Sequence, residues 1–351
     1  MNQPMMRIRR RTISPGKPAY IIAELSANHG QRFDRAVKLI EAAKAAGADA
    51  VKLQTYTADT ITLNSHAKCF RVKQGLLWSG KNLYDLYREA STPWSWQPKL
   101  KKIADRLKID LFSSPFDASA VDFLEKMQVP AYKIASFELV DVPLIEKIAR
   151  LGKPMILSTG MATFQEIQEA VAAIHRCGNR QIALLKCTSA YPAHPSESHL
   201  RTIPDLYRRF SVPIGLSDHT MGWTVPVAAV ALGACIVEKH LTLSRTMKGP
   251  DSAFSMEPEE FKKMVQAVWH TQMAMGTIHY GPTASERKTI RYRRSLFAVR
   301  DIVEGEKLTP AHVRSIRPAA GLPPKYYKNI LGRKARCHIR AGTPLNFKMI
   351  R

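Results

Sequence analysis

The sequence has no run of eighteen apolar residues, and the arginines of its opening stretch, MNQPMMRIRRRTISPGKP, are followed by no apolar stretch of the signal-peptide kind. Neither a membrane span nor a secretory leader is expected, and a cytoplasmic location with no membrane partner is. Cysteine is scarce: the five residues Cys69, Cys177, Cys187, Cys235 and Cys337 are odd in number, and none forms a CxxC pair. That spacing fits reduced thiols better than a disulfide framework or a zinc cluster. Acidic residues are also few, 29 against 53 Lys and Arg, for a formal charge of +24. An excess of that size points to anionic partners, either nucleic acid or small anionic molecules. It is concentrated between Glu286 and Arg351, where seventeen Lys and Arg face four Asp and Glu, which marks a separate basic module. This tail lacks the Gly-rich pattern with interleaved aromatics of RNA-binding sheets, carrying mainly Tyr292, Phe297, Tyr326, Tyr327 and Phe347. Nucleic-acid binding is therefore the alternative from another class, not the expected function.

The chain does have the composition of a folded protein, with 45% apolar residues over 351 positions. Eight apolar runs recur: YIIAEL, ADAVKLQ, IDLFSSP, AYKIAS, PMILSTG, IALLKCT, VPIGLSD and CIVEKHLT. Segments of helical spacing separate them, for example Phe33 to Ala46, Val121 to Met127 and Phe164 to Ile174. Eight strand–helix units over roughly 250 residues predict an α/β fold, a (β/α)8 TIM barrel. A doubly wound sheet is the rival, and the strand ends decide against it. All eight runs finish in polar side chains, and a barrel gathers all eight ends at one mouth, whereas an open sheet concentrates ligands at one switch point. After Gly281-Pro282 short β-prone pieces are separated by Gly and Pro turns. The expected domains are a barrel over 1–282, a linker over 283–293 and a small β-rich domain over 294–351.

Three constellations at the strand ends carry chemistry. His219 and His240 end the last two runs, which are neighbours in a barrel, so their imidazoles are either hydrogen-bonded strand-end residues or two ligands of one divalent ion. Lys52, Lys133 and Lys186 each sit inside an apolar strand, in VKL, YKI and LKC, where an unpaired ammonium is costly. With Ser136, Ser158 and Ser217 they make a phosphate and carboxylate cradle, or they pair with Glu24, Glu138 or Glu238. Glu24 and Glu138 are the acids placed to hold a sugar hydroxyl, activate water or neutralise a lysine, and the sequence does not apportion these roles. Asp251, on the turn of KGPDSAF, is a solvated turn residue or part of a binding loop. The segment from Tyr56 to Pro93 exceeds ordinary loop length and is expected to form a lid or an aromatic wall.

Ten words in order, IIAELSANHG, GADAVKLQTYT, FSSPFD, YKIASFEL, KPMILSTGMAT, LLKCTSAYPA, GLSDHT, EKHLTL, GPDSAFS and SIRPAAGLPPKY, resemble the sialic acid synthase family, most closely its pseudaminic acid branch. The resemblance implies condensation of phosphoenolpyruvate with an open-chain acetamido-sugar, giving a nonulosonic acid and phosphate, with Mn2+ or Mg2+ as cofactor. It implies 2,4-diacetamido-2,4,6-trideoxy-altrose as the sugar; precursors of N-acetylneuraminate or legionaminate are the alternatives. The C-terminal domain is implied to be an antifreeze-like (SAF, β-clip) cap in a domain-swapped homodimer. On this chain the resemblance makes His219 and His240 the metal ligands. It places Lys52, Lys133, Ser136, Ser158, Ser189 and Ser217 around phosphoenolpyruvate, with Ser114 near its carboxylate. Glu24, Gln54, Tyr191 and Asp251 fall where the sugar lies, Arg317 where the cap reaches the N-acetyl group, and Glu24 or Glu138 manages a water proton. Ala319 and Ala320, where the family usually turns on glycine, are a departure beside Arg317.

Overall fold

The computed structural model describes residues 3–72, 78–247 and 249–351. The chain divides into two compact units, Met1–Gly276 and Thr277–Arg351. The first opens with an antiparallel hairpin of β1 (Met6–Ile8) and β2 (Arg11–Ile13). Eight parallel strands follow, β3 (Tyr20–Glu24), β4 (Ala50–Thr55), β5 (Asp110–Pro115), β6 (Tyr132–Ile134), β7 (Met155–Ser158), β8 (Ile182–Cys187), β9 (Ile214–Asp218) and β10 (Ile236–His240). They close into a barrel because β10 pairs with β3 as well as with β9, so that each of the eight strands has two neighbours and no edge is left. The eight apolar runs of the sequence are these eight strands. No described helix is long and apolar enough to cross a membrane.

Strands buried on both faces need apolar residues at nearly every position. β3 and β10 are buried throughout, including the charged Glu24, Glu238 and Lys239. The outer helices are amphipathic instead. Phe164–Arg176 starts on a Thr163–Glu166 capping box and buries Ile167, Ala170, Val171 and Ile174 on one face. The hairpin covers the N-terminal end of the barrel, adding Met6, Ile8 and Ile13 to its core, while Arg9 lies 3.3 Å from Asp110 at the start of β5. Chemistry is thereby left to the C-terminal ends, where the loops are long.

Side chains alternate between barrel interior and helix layer with a period of two. Lys52 and Gln54 on β4, Lys133 on β6, Ser158 on β7, Cys187 on β8, Ser217 on β9, and Glu238 and His240 on β10 face one pocket. The same alternation corrects the three-lysine cradle. Cys187 takes the inward position on β8, so Lys186 turns outward, half-buried, with its Nζ donating to the Cys187 carbonyl at 2.8 Å. On the outer face of β9 and β10, Lys239 pairs with Asp218 and donates to the Thr220 carbonyl, while Asp218 accepts from Thr220 N at 3.0 Å. This buried clamp ties the two strand ends immediately beside His219 and His240.

The second unit holds an antiparallel pair, β11 (Ser295–Ala298) and β12 (Val313–Ile316), joined by isolated bridges such as Ile302↔Ile339 and Ala335↔Ile350. Leu296, Val313, Ile330 and Leu345 belong to its separate small core. The bend after β12 carries Arg317 and is pinned by Ser295: its Oγ donates to the Pro318 carbonyl at 2.7 Å and accepts from Gly321 N at 2.9 Å. Ala320 N also donates to it, at 3.1 Å, so the two alanines are accommodated without a further glycine.

Gly215 shows how tightly the interior is packed. A Cβ there would lie 2.5 Å from Leu185 Cδ2 and 2.6 Å from Ile236 Cβ. Gly215→Ala should cost about 1–3 kcal/mol by overpacking. A urea unfolding midpoint equal to that of the unsubstituted protein would contradict this packing.

Candidate active site

The C-terminal mouth of the barrel contains a cavity of about 560 Å³. Its floor is charged on both signs. Lys52 Nζ lies 2.5 Å from Glu24 and 3.5 Å from Glu238, and Lys133 Nζ lies 3.9 Å from Glu238. Ser114 accepts from Lys52 at 3.3 Å, and Ser158 accepts from Lys133 at 2.6 Å. The lysines are thus both paired with barrel carboxylates and ringed by hydroxyls, so the two readings of the sequence hold together.

Burial sets the titration of this floor. It opposes the charge on Lys52, but Glu238 and Glu24 outweigh it and hold the ammonium above its ordinary value. Lys133, with a more distant carboxylate, is lowered by the same burial. Burial raises Glu24 despite Lys52, whereas Lys133, Lys52 and His219 overcome it at Glu238 and bring that carboxyl down. Glu138 is raised by burial to about 7. One oxygen each of Glu138 and Glu238 is buried without a hydrogen-bond partner.

The imidazole rings of His219 and His240 are 5.3 Å apart, centroid to centroid. His219 Nδ1 meets the Thr188 carbonyl at 2.8 Å; a carbonyl only accepts, so Nδ1 carries the proton and Nε2 presents a lone pair. His240 Nδ1 is buried with no partner, and burial, reinforced by His219, keeps that ring well below its ordinary pKa. No group of three or more His, Cys, Asp or Glu side chains forms a metal cage among the described residues. Two neighbouring imidazoles, one with an orphaned buried nitrogen, still fit a divalent ion whose other positions are filled by water and substrate oxygens. Cys187, its sulfur 3.9 Å from His219 Nδ1, is pushed up by burial but brought down to about 7 chiefly by that ring, and it raises His219 in turn. A cation at Nε2 would replace the added proton that this pairing favours.

Around the floor, Ser136 accepts from Gly160 N at 3.2 Å, and a Cβ on Gly160 would collide with Ser189 and Ser136, so glycine keeps this hydroxyl corner open. Ser217 donates to Glu238 at 3.3 Å. Asp251 accepts a short bond from Ser26, whose oxygen also takes Gln54 Nε2 at 3.0 Å; burial raises the Asp251 carboxyl. Tyr191 lies 4.4 Å from the His219 ring and 5.8 Å from Trp78. Of the expected residues, Lys52, Gln54, Lys133, Ser136, Glu138, Ser158, Tyr191, Ser217, His219, His240 and Asp251 line the cavity. Glu24 and Ser114 sit behind Lys52, and Ser189 sits behind Gly160. Arg317 is an exposed residue of the second unit.

Sequence reasoning missed Ser26 and Cys187, took Glu238 only as a lysine partner, and expected a lid or an aromatic wall from Tyr56 to Pro93 without choosing its residues. The wall comes from the segment after β4, whose residues 73–77 lie outside the described ones: Tyr56, Trp78, Leu83, Leu86 and Tyr87, with Phe116 after β5. Strand parity would have found Cys187 and Glu238, and the helical spacing of 83, 86, 87 and 90 picks out the stripe, though not what it faces.

Known proteins resemble this chain over nearly its whole length. A pseudaminic acid synthase of Helicobacter pylori is 46% identical over 332 residues, covering 94% of this chain and 97% of that protein. An N,N'-diacetyllegionaminic acid synthase of Campylobacter jejuni is 37% identical over 91% of this chain and 96% of its own. Among solved structures, an N-acetylneuraminic acid synthetase from Leptospira borgpetersenii superposes with a TM-score of 0.72 at 31% identity, covering 82% of this chain and 97% of that one. A spore coat polysaccharide biosynthesis protein of Bacillus subtilis does so at 0.67 and 31%, covering 99% of both. With residues 39–280 matching the NeuB family and 293–351 the SAF domain, a closed eight-stranded barrel followed by a small β-rich unit is what such a chain should build, and the protein belongs to the NeuB family.

Proposed function

We propose that this protein is a pseudaminic acid synthase, condensing phosphoenolpyruvate, 2,4-diacetamido-2,4,6-trideoxy-altrose and water to pseudaminic acid and phosphate. The observation that carries the reading is the joining, in one barrel mouth, of a Lys52–Lys133 floor with the adjacent imidazoles of His219 and His240. The likeness to the pseudaminic acid synthase of Helicobacter pylori supports the choice of sugar.

Lys52 and Lys133, with Ser136, Ser158 and Ser217, hold the phosphate, and Ser114, behind Lys52, positions its ammonium. Asp251, Gln54 and Tyr191 orient the sugar so that its C1 faces C3 of phosphoenolpyruvate. A divalent cation, Mn2+ or Mg2+, held by His219 and His240 supplies Lewis acidity toward the aldehyde oxygen. As the C3–C1 bond forms, the aldehyde oxygen takes a proton and positive charge develops at C2. Water adds there, giving up a proton to Glu138, whose pKa of about 7 suits a base at neutral pH. The tetrahedral carbon then expels phosphate by cleavage of its own C–O bond, leaving the water-derived oxygen as the ketone. Lys52 and Lys133 stabilise the departing charge. We propose further that the protein is a cytoplasmic homodimer in which Arg317 of one protomer, exposed on its Ser295-pinned bend, serves the sugar bound by its partner.

Incubation with phosphoenolpyruvate carrying 18O in the bridging position should place the label in phosphate. Label kept in the sugar acid would exclude C–O cleavage, and faster turnover of N-acetylmannosamine would overturn the sugar assignment. Chelation should abolish turnover and Mn2+ restore it.

The base must be deprotonated to accept a proton, so kcat/KM should rise with pH through about 7 and then level. Glu138→Gln should remove this limb and lower kcat by roughly 100-fold or more. A limb that persists in the variant would assign the base elsewhere.

Mixing Arg317→Ala with His219→Ala chains tests the dimer. Each alone should be nearly inactive, and random exchange should return roughly a quarter of the unsubstituted activity, because mixed dimers regain one sound site. Proven exchange without recovery would show that Arg317 does not act across the dimer.

A further inference from the structure

The helix Leu83–Ala90 carries its apolar residues Leu83, Leu86, Tyr87 and Ala90 at positions i, i+3, i+4 and i+7, a stripe of the kind that ordinarily packs on a core. All four line the cavity instead. Leu86 is buried yet belongs to neither apolar core of the chain. The other face is charged, with Arg88 bonded to Asp85 at 2.8 Å and Glu89 to Lys81 at 2.5 Å, so the orientation is set by amphipathicity. Tyr56 extends the stripe, its ring 5.6 Å from Tyr87 and 5.1 Å from Phe116. The pocket therefore has two chemistries: a floor of lysines, carboxylates and imidazoles at the strand ends, and an apolar wall raised on the segment after β4 and the loop after β5.

Neither phosphoenolpyruvate nor an aldehyde needs such a wall. The aldehyde carbon must lie by His219 and His240, at the ends of β9 and β10, and β3 separates these strands from β4. The wall is then met by the opposite end of the sugar. We propose that the stripe of Leu83, Leu86, Tyr87 and Ala90, with Tyr56 and Phe116, reads the C4–C6 end of the sugar and selects a deoxygenated, N-acylated sugar over a hydroxylated one. This inference rests on the synthase reading above. A C6 methyl and an acetamido methyl cover Leu83, Leu86, Ala90 and Phe116, whereas a hydroxyl placed against those side chains loses its water and finds no donor or acceptor on them; Tyr56 and Tyr87 bring the polar atoms of the stripe. One buried methyl, at about 0.8 kcal/mol, is worth about fourfold in kcat/KM, and an unsatisfied hydroxyl adds to the discrimination.

The test compares 2,4-diacetamido-2,4,6-trideoxy-altrose with its 6-hydroxylated counterpart by phosphate release, in the unsubstituted protein, Leu83→Asn and Leu83→Met. Leu83 is half-buried, so a polar side chain there should be tolerated, and circular dichroism establishes that each variant is folded. The unsubstituted protein should prefer the 6-deoxy sugar by roughly tenfold or more. Leu83→Asn should bring that preference to within about threefold while the KM for phosphoenolpyruvate stays within about twofold, and Leu83→Met should retain it. A folded Leu83→Asn with undiminished preference, or one that slows both sugars equally, overturns the wall. Absence of phosphate release from either sugar in the unsubstituted protein overturns the synthase reading itself, so the two failures are told apart.

Discussion

Two lysines buried in a barrel impose the constraint on which the rest of the mouth depends. Lys52 is 4% exposed and Lys133 1%, and a charge so placed is tolerable only beside a counter-charge. Glu24 and Glu238 supply it from β3 and β10, and register brings them there: Glu24 lies opposite both Lys52 and His240 in the neighbouring strands. The balance is uneven. Lys52 is held charged by two carboxylates, while Lys133 is weakened by burial with Glu238 3.9 Å away. On the proposed reading, a phosphate dianion between them would give Lys133 the counter-charge that the protein alone supplies poorly. Glu24, whose pKa burial raises, can yield its negative charge as the anion arrives. Such a floor suits an anion that comes and goes better than a permanent ion pair.

The histidines depend on the other face of the same strands. Because parity sends His219 and His240 inward, Asp218 and Lys239 must face the helix layer, where each would be a buried unpaired charge without the other. Their pairing, extended to both ends of Thr220, fixes the spacing of two strand termini that no covalent link holds. The Thr188 carbonyl then sets the ring of His219 from β8. Thus the imidazole pair is positioned by three strands and two buried polar contacts, a rigid setting of the kind that preorganised sites require.

What could be read in the sequence follows from this division. The eight strands were legible because burial on both faces forces continuous apolar runs, and the mouth residues because charge at the end of such a run has few structural uses. Lys186 misled because LKC places a lysine in a buried run as VKL and YKI do. Only the pairing of parity across β8 and β9, with Leu185 packed against Gly215, shows that Cys187 faces in and the lysine out. The wall was legible only as a segment, Tyr56 to Pro93, and not residue by residue. An amphipathic helix in an insertion carries no sign of whether its stripe meets a core or a cavity, since both demand the same periodicity.

That ambiguity separates two kinds of specificity in this fold. Strand ends are fixed by ladder hydrogen bonds and by the charge balance beneath them, so altering Lys52, Glu24 or Glu238 disturbs several partners at once. Among the described residues the helix Leu83–Ala90 makes no hydrogen bond to Lys52, Glu24 or Glu238; Tyr84 bonds Asp59, and the Glu89 carbonyl accepts from Gln31 at 2.9 Å. The leucines of its apolar face are therefore free of the buried charge, whereas Tyr87, which Glu138 influences, is not. On the proposed reading, a barrel built in this way would keep the phosphoryl and aldehyde ends of its reaction constant while the far end of the sugar is reread through the leucines of the wall, which bear none of the buried charge.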